Sequence, residues 1–161
     1  MIPSKPQDHV SHSLIETENL AKQWLGDIDT KEEAVVVALN GQLGSGKTTF
    51  VQAVARSLGV KENITSPTFV IMKKYSLWGK ESINKHTDKI SVGHFKNLIH
   101  IDAYRLESGD ELKVLDFEEI VADPRNLVLI EWADNVKDGL PTNLKKIDFE
   151  YVSENERKIS F

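Results

Sequence analysis

Gly41-Gln42-Leu43-Gly44-Ser45-Gly46-Lys47-Thr48 reads G-x-x-x-x-G-K-T, and each residue type in it suits the binding of a polyphosphate. The glycines let the backbone curl tightly and turn its N–H groups inward. The ammonium of Lys47 can reach β- and γ-phosphates, and the hydroxyl of Thr48 can fill one coordination position of Mg²⁺. Gln42, Leu43, Gly44, Ser45, Gly46 and Thr49 would surround the anion. The loop should also open a helix, whose positive end favours negative charge.

Two flanking elements must hold such a loop. Ala34–Leu39 is an apolar, β-branched run suited to a buried strand. Thr49–Leu58 carries Phe50, Val51, Val54, Ala55 and Leu58 at helical spacing, and Gly59 supplies a stop. Strand, loop and helix therefore follow in the order the chemistry requires.

Mg²⁺ is a hard cation that takes oxygen ligands. In open α/β sheets, ligands gather beyond the carboxyl ends of the strands. Two short apolar runs end there in a carboxylate: Leu98–Asp102 and Leu127–Glu131. Beside a phosphate loop, one carboxylate would serve the metal directly or through water. The other would polarise the attacking water. Taken apart from the loop, each is equally well a turn residue or half of a surface ion pair.

The remaining chain is read as support. Residues 1–12 look like a loose arm, with Pro3 and Pro6. Ser13 and Glu16 have capping-box spacing, so a helix should run to about Leu25 and end near Gly26. Thr17 on that helix is a candidate contact to a nucleotide base. In Thr65-Ser66-Pro67-Thr68-Phe69, Pro67 stiffens a hydroxyl-rich turn. That turn either orients a water or γ-phosphate, or simply enters the strand expected over Phe69–Tyr75. Residues 76–97 read as a long polar excursion, and its His86 and His94 are not read as metal ligands. Asp110–Ile120 suggests two short helical pieces. Leu144–Phe161 suggests a hairpin turning at Ser153–Glu156.

Composition sets outer limits. A chain of 161 residues, 40% hydrophobic and 28% charged, is the size of one soluble domain. A single domain is expected over residues 13–161. The formal net charge of −5 argues against tight independent RNA or DNA binding, though it leaves room for a local basic patch. No apolar run reaches membrane-span length, and the N-terminus lacks a signal peptide's apolar core. There are no cysteines, which excludes disulfides and thiolate chemistry. The expected location is the cytoplasm, with no export.

Four motifs occur in order: Gly41–Phe50, then Thr65-Ser66-Pro67-Thr68-Phe69, then His100-Ile101-Asp102-Ala103-Tyr104-Arg105, then Ile130-Glu131-Trp132. Together they resemble the bacterial TsaE family, over about residues 13–161. The resemblance implies a three-layer α/β P-loop fold with a mixed sheet flanked by helices. It implies Mg²⁺-dependent ATP hydrolysis in the service of the TsaD–TsaB complex. That complex transfers a threonylcarbamoyl group to adenosine 37 of tRNAs reading ANN codons, so tRNA would be met only indirectly. By the same resemblance Lys47 holds phosphate, Thr48 and Glu131 hold Mg²⁺, and Asp102 lies beside them as a catalytic carboxylate. Thr68 would face the γ-phosphate, Trp132 would lie near the site or a partner surface, and Arg157 near the nucleotide. The chain departs from the family pattern with Gln42, Ser45, Ala103 and a longer 76–97 connection.

Other functions fit the same loop. A small-molecule kinase would use 76–97 as a lid, yet that stretch has lysines and no arginine to close over a transferred phosphoryl group. A GTPase is disfavoured, because Asn84-Lys85-His86-Thr87 lacks the last aspartate of N-K-x-D. A nucleotide-gated binding module that hydrolyses slowly is the non-enzymatic alternative.

Overall fold

The computed structural model describes residues 5–29, 32–77 and 94–161. Among these, seven strands form one mixed sheet in the order β1-β7-β6-β2-β5-β4-β3. The strands are β1 (Asp8–Ser11), β2 (Val35–Asn40), β3 (Met72–Ser76), β4 (Asn97–Asp102), β5 (Asn126–Glu131), β6 (Lys145–Tyr151) and β7 (Arg157–Ser160). The centre is parallel: β2 pairs with both β5 and β6, and β5 with β4. The outer pairs β3–β4, β6–β7 and β1–β7 are antiparallel.

Alternation along the central strands explains the layers. Successive side chains of a strand point to opposite faces. Val35, Val37 and Leu39 of β2, with Leu127 and Leu129 of β5, join one buried cluster with α1 (Leu14–Gly26) and α2 (Lys47–Ser57). Val36 and Ala38, with Val128 and Ile130, join a second cluster on the other face. That face is covered by a 3₁₀ segment (Gly109–Leu115), α3 (Phe117–Ala122) and a second 3₁₀ segment (Ala133–Gly139). The result is a three-layer α/β sandwich, with central strands apolar on both faces as burial on both sides demands.

Phe50 ties the first layer together. It is fully buried on α2 and packs edge-on against Trp24 of α1 and Phe149 of β6, with ring centroids 5.5 and 5.4 Å apart. Phe50→Ala should destabilise the fold by about 3–5 kcal/mol, measured by chemical denaturation. A loss below about 1 kcal/mol would mean that the layer can collapse around the gap.

Three sequence expectations need correction. Residues 1–12 are not a loose arm throughout, because Asp8–Ser11 add an edge strand to β7. Ser160 Oγ bonds to Asp8 Oδ1 at 2.7 Å, and Gln7 exchanges backbone bonds with Phe161. The strand expected over Phe69–Tyr75 begins only at Met72. Val70 and Ile71 instead donate their N–H groups to the Pro67 carbonyl, and Ile71 takes φ 68°. Its neighbour β4 ends at Asp102, so among the described residues Phe69 and Val70 have no ladder to join, and they stay exposed. The capping box at Ser13 is also shifted. Ser13 Oγ accepts from the Glu16 N–H, but Glu16 reaches back to the N–H of His12. The excursion 76–97, including His86, lies mostly outside the described residues. His94 donates from Nε2 to the Pro124 carbonyl at 3.0 Å.

Candidate functional site

The loop between β2 and α2 is shaped by close backbone approach. Gly41 has φ 149°, and a Cβ there would lie 2.5 Å from the Phe149 carbonyl oxygen. Gly46, at φ 104°, forms the N-cap of α2 in a left-handed conformation that only glycine takes without strain. Lys47 and Thr48 thus occupy the first turn of α2, whose N–H groups have no intrahelical acceptors. Ser45 Oγ is buried and has no partner among the described residues.

Lys47 is almost wholly buried. Its Nζ donates to the carbonyls of Gly41 (2.5 Å) and Gln42 (3.0 Å) and lies 4.3 Å from the centre of the Trp132 ring. Burial holds its ammonium below the usual lysine range, while the charges of Glu131 and Asp102 push the other way. A cation so placed is poorly hydrated, which strengthens its attraction for an incoming anion.

The two strand-end carboxylates come side by side because β4 and β5 pair in parallel with Asp102 opposite Glu131. They do different work. Glu131 accepts the Thr48 hydroxyl, with Oγ1 2.9 Å from Oε1 and 3.1 Å from Oε2. It also lies 2.8 Å from Nε2 of the buried His100. Asp102 anchors the hydroxyl-rich turn: Oδ2 accepts from Ser66 (2.7 Å) and Thr68 (2.6 Å), and Oδ1 accepts from the Tyr104 N–H. Trp132 follows Glu131 at φ 58°, a strained left-handed position for a bulky side chain, and stacks edge-on against Tyr104. Asp102→Ala should free the Ser66–Thr68 turn, seen as faster amide exchange at Phe69–Ile71 with the sheet core unchanged. Unaltered exchange would show that Pro67 alone holds the turn.

Lys47, Thr48, Ser66, Thr68, Asp102, Glu131 and Trp132 line one cleft of about 530 Å³ at the carboxyl end of the central strands. Leu43, Gly44, Ser45 and Gly46 line it from the loop and Thr49 from α2, while Gln42 is exposed and outside the lining. Thr17 also lines it, but Ser11 Oγ lies 2.8 Å from its hydroxyl and ties α1 to β1. Arg157 reaches the cleft beside Gly46. Its Nη1 donates to the carbonyls of Ser153 (2.6 Å) and Glu156 (2.9 Å). Sequence reasoning missed Ser11, Ser13, Tyr104, Phe149 and Asn155 as lining residues. Ser11 arrives through the β1–β7 pairing, which local patterns do not reveal, and Asn155 lies in the expected hairpin turn, which the pairing of β6 with β2 brings to the cleft.

Chemically, the arrangement offers a polyanion a curled loop, a desolvated ammonium and a helix start. It offers a hard cation the paired oxygens of Thr48 and Glu131. The molecule is a three-layer α/β protein with a glycine loop and two strand-end carboxylates in one cleft. Residues 11–159 match the family described as "Threonylcarbamoyl adenosine biosynthesis protein TsaE". The chain belongs to that family.

Individual relatives agree. The chain is 33% identical over 153 residues to a tRNA threonylcarbamoyladenosine biosynthesis protein TsaE of Rickettsia prowazekii, covering 94% of this chain and 92% of that one. It is 33% identical over 126 residues to the protein of that name from Bacillus subtilis, with coverages of 78% and 68%. Its fold is similar to the crystal structure of YdiB from Bacillus subtilis, with a TM-score of 0.69 at 26% identity. That likeness covers 98% of this chain and 84% of the other. The family therefore places the chain in tRNA threonylcarbamoyladenosine biosynthesis.

Proposed function

We propose that this protein hydrolyses ATP with Mg²⁺, and that hydrolysis assists the TsaD–TsaB complex in forming N6-threonylcarbamoyladenosine at position 37 of tRNAs reading ANN codons. The observation that carries the reading is the convergence of Lys47, Thr48, Glu131 and the Asp102–Thr68 pair on one cleft, in a chain of this family.

The loop N–H groups, Lys47 and the Ser45 hydroxyl, which has no partner among the described residues, bind the phosphates in this reading. Thr17 and Arg157 border the nucleoside end of the cleft. Among the described residues no three acidic or histidine side chains gather as a metal cage. A cation here would rest on Thr48, Glu131, phosphate oxygens and water. Such a half-protein, all-oxygen set fits Mg²⁺, which dehydrates reluctantly. Bound there, Mg²⁺ would neutralise charge developing on the phosphates. Asp102 aims Thr68 toward the phosphate end and, with it, orients the attacking water.

In this reading the partners are TsaD and TsaB and the location is the cytoplasm. No helix among the described residues is long and apolar enough to cross a membrane. The test is ATP turnover by the protein alone, with TsaD–TsaB, and with candidate small phosphoryl acceptors. Release of free phosphate that rises with TsaD–TsaB is expected. Phosphate transfer to a small acceptor would overturn the reading in favour of a kinase.

A further inference from the structure

His100 interrupts the apolar run Leu98-Ile99-His100-Ile101 in the middle of β4. It is fully buried, with Lys73 of β3 opposite it on one side and Leu129 of β5 on the other. A leucine would fill that position at no polar cost, so an imidazole there requires a use. Its Nε2 lies 2.8 Å from Oε1 of Glu131, and its Nδ1 has no partner among the described residues. A carboxylate only accepts, which assigns the ring proton to Nε2. Among the described residues the imidazole thus makes one hydrogen bond, to Glu131 from the sheet side, while Thr48 approaches from α2.

We propose that His100 is the positioning residue for Glu131. Its Nε2–H pins Oε1, so that the carboxylate presents a fixed edge toward the Thr48 hydroxyl, where the metal of the proposed reaction would be held. The inference rests on the metal reading above. Without the imidazole, Glu131 can rotate about its terminal torsion, which is soft and roughly two-fold. Groups that hydrogen-bond a metal's ligand commonly change metal affinity by about 10- to 100-fold when removed.

The test uses the full chain saturated with ADP and titrated with Mg²⁺ in a calorimeter. ADP affinity without metal and thermal melting are measured alongside. His100→Leu keeps the bulk and removes the donor. His100→Gln places an amide nitrogen near the position of Nε2, and His100→Asn places one near Nδ1. The expected result is Mg²⁺ affinity lowered about 10- to 100-fold in His100→Leu and His100→Asn, largely restored in His100→Gln, with metal-free ADP affinity unchanged. Wild-type Mg²⁺ affinity in a folded His100→Leu protein would overturn the proposal. So would equal weakening in the Gln and Asn variants, because it would reduce His100 to packing. If His100→Leu fails to fold, Gln against Asn decides the matter alone. A wild-type protein whose ADP complex takes no Mg²⁺ would overturn the metal reading itself, and the positioning role with it.

Discussion

Lys47→Ala is expected to lower ATP hydrolysis by about 10²- to 10³-fold, the scale on which enzymes lose rate when one fixed charge-stabilising donor is removed. Lys47 is buried, lies beneath the Trp132 ring and is held by the carbonyls of Gly41 and Gln42. Its charge therefore reaches the cleft without a full hydration shell and is already positioned when an anion arrives. A second readout separates binding from chemistry. A ligand at about one hundred times its Kd stabilises the folded protein by about 2.7 kcal/mol. The wild type should show that nucleotide-dependent rise in melting temperature, and the variant should lose most of it at the same concentration. Lys47→Arg should rescue neither readout, because a planar guanidinium does not fit where a compact ammonium lies under an indole. Undiminished hydrolysis by Lys47→Ala would refute the placement of the site.

Glu131→Ala is expected to cost about 10²-fold in Mg²⁺-dependent turnover while leaving metal-free nucleotide binding within a few-fold. The carboxylate is buried between Thr48 and His100, and its removal takes away the only protein charge proposed for the metal. It also strips the buried Nε2–H of His100 of its acceptor, a penalty of about 1–3 kcal/mol in stability. Glu131→Gln separates the two effects. It keeps an acceptor oxygen for His100 and removes the charge, so stability should return while Mg²⁺-dependent turnover stays low. Equal losses of turnover and metal-free binding in both variants would count against a metal role for Glu131.

Much of the cleft's geometry is legible in the sequence motifs. The strand, glycine loop and helix follow from β-branched Val35–Val37, Gly41 to Gly46 and the helical spacing of Phe50, Val54 and Leu58. The paired carboxylates follow from two apolar runs that each end in an acid, and the parallel register then sets Asp102 against Glu131. What escaped depends on contacts far apart in sequence. β1 is four residues long and is a strand only because β7 offers it a ladder. Phe69 and Val70 have strand-like composition, but Pro67 and the end of β4 divert them into an exposed turn. Ser11 enters the cleft through that edge pairing, and His100 gains its meaning only from Glu131 on the next strand.

The most direct test of the central claim is threonylcarbamoyl-adenosine formation on tRNA, followed over many turnovers. The TsaD–TsaB complex, the threonylcarbamoyl donor, ATP and Mg²⁺ are combined without this protein, with the wild type, or with Lys47→Ala. Sustained modification that needs the wild type and fails with Lys47→Ala is the predicted result. Modification that proceeds equally in all three mixtures would contradict it, leaving an ATP site without the proposed role in the pathway.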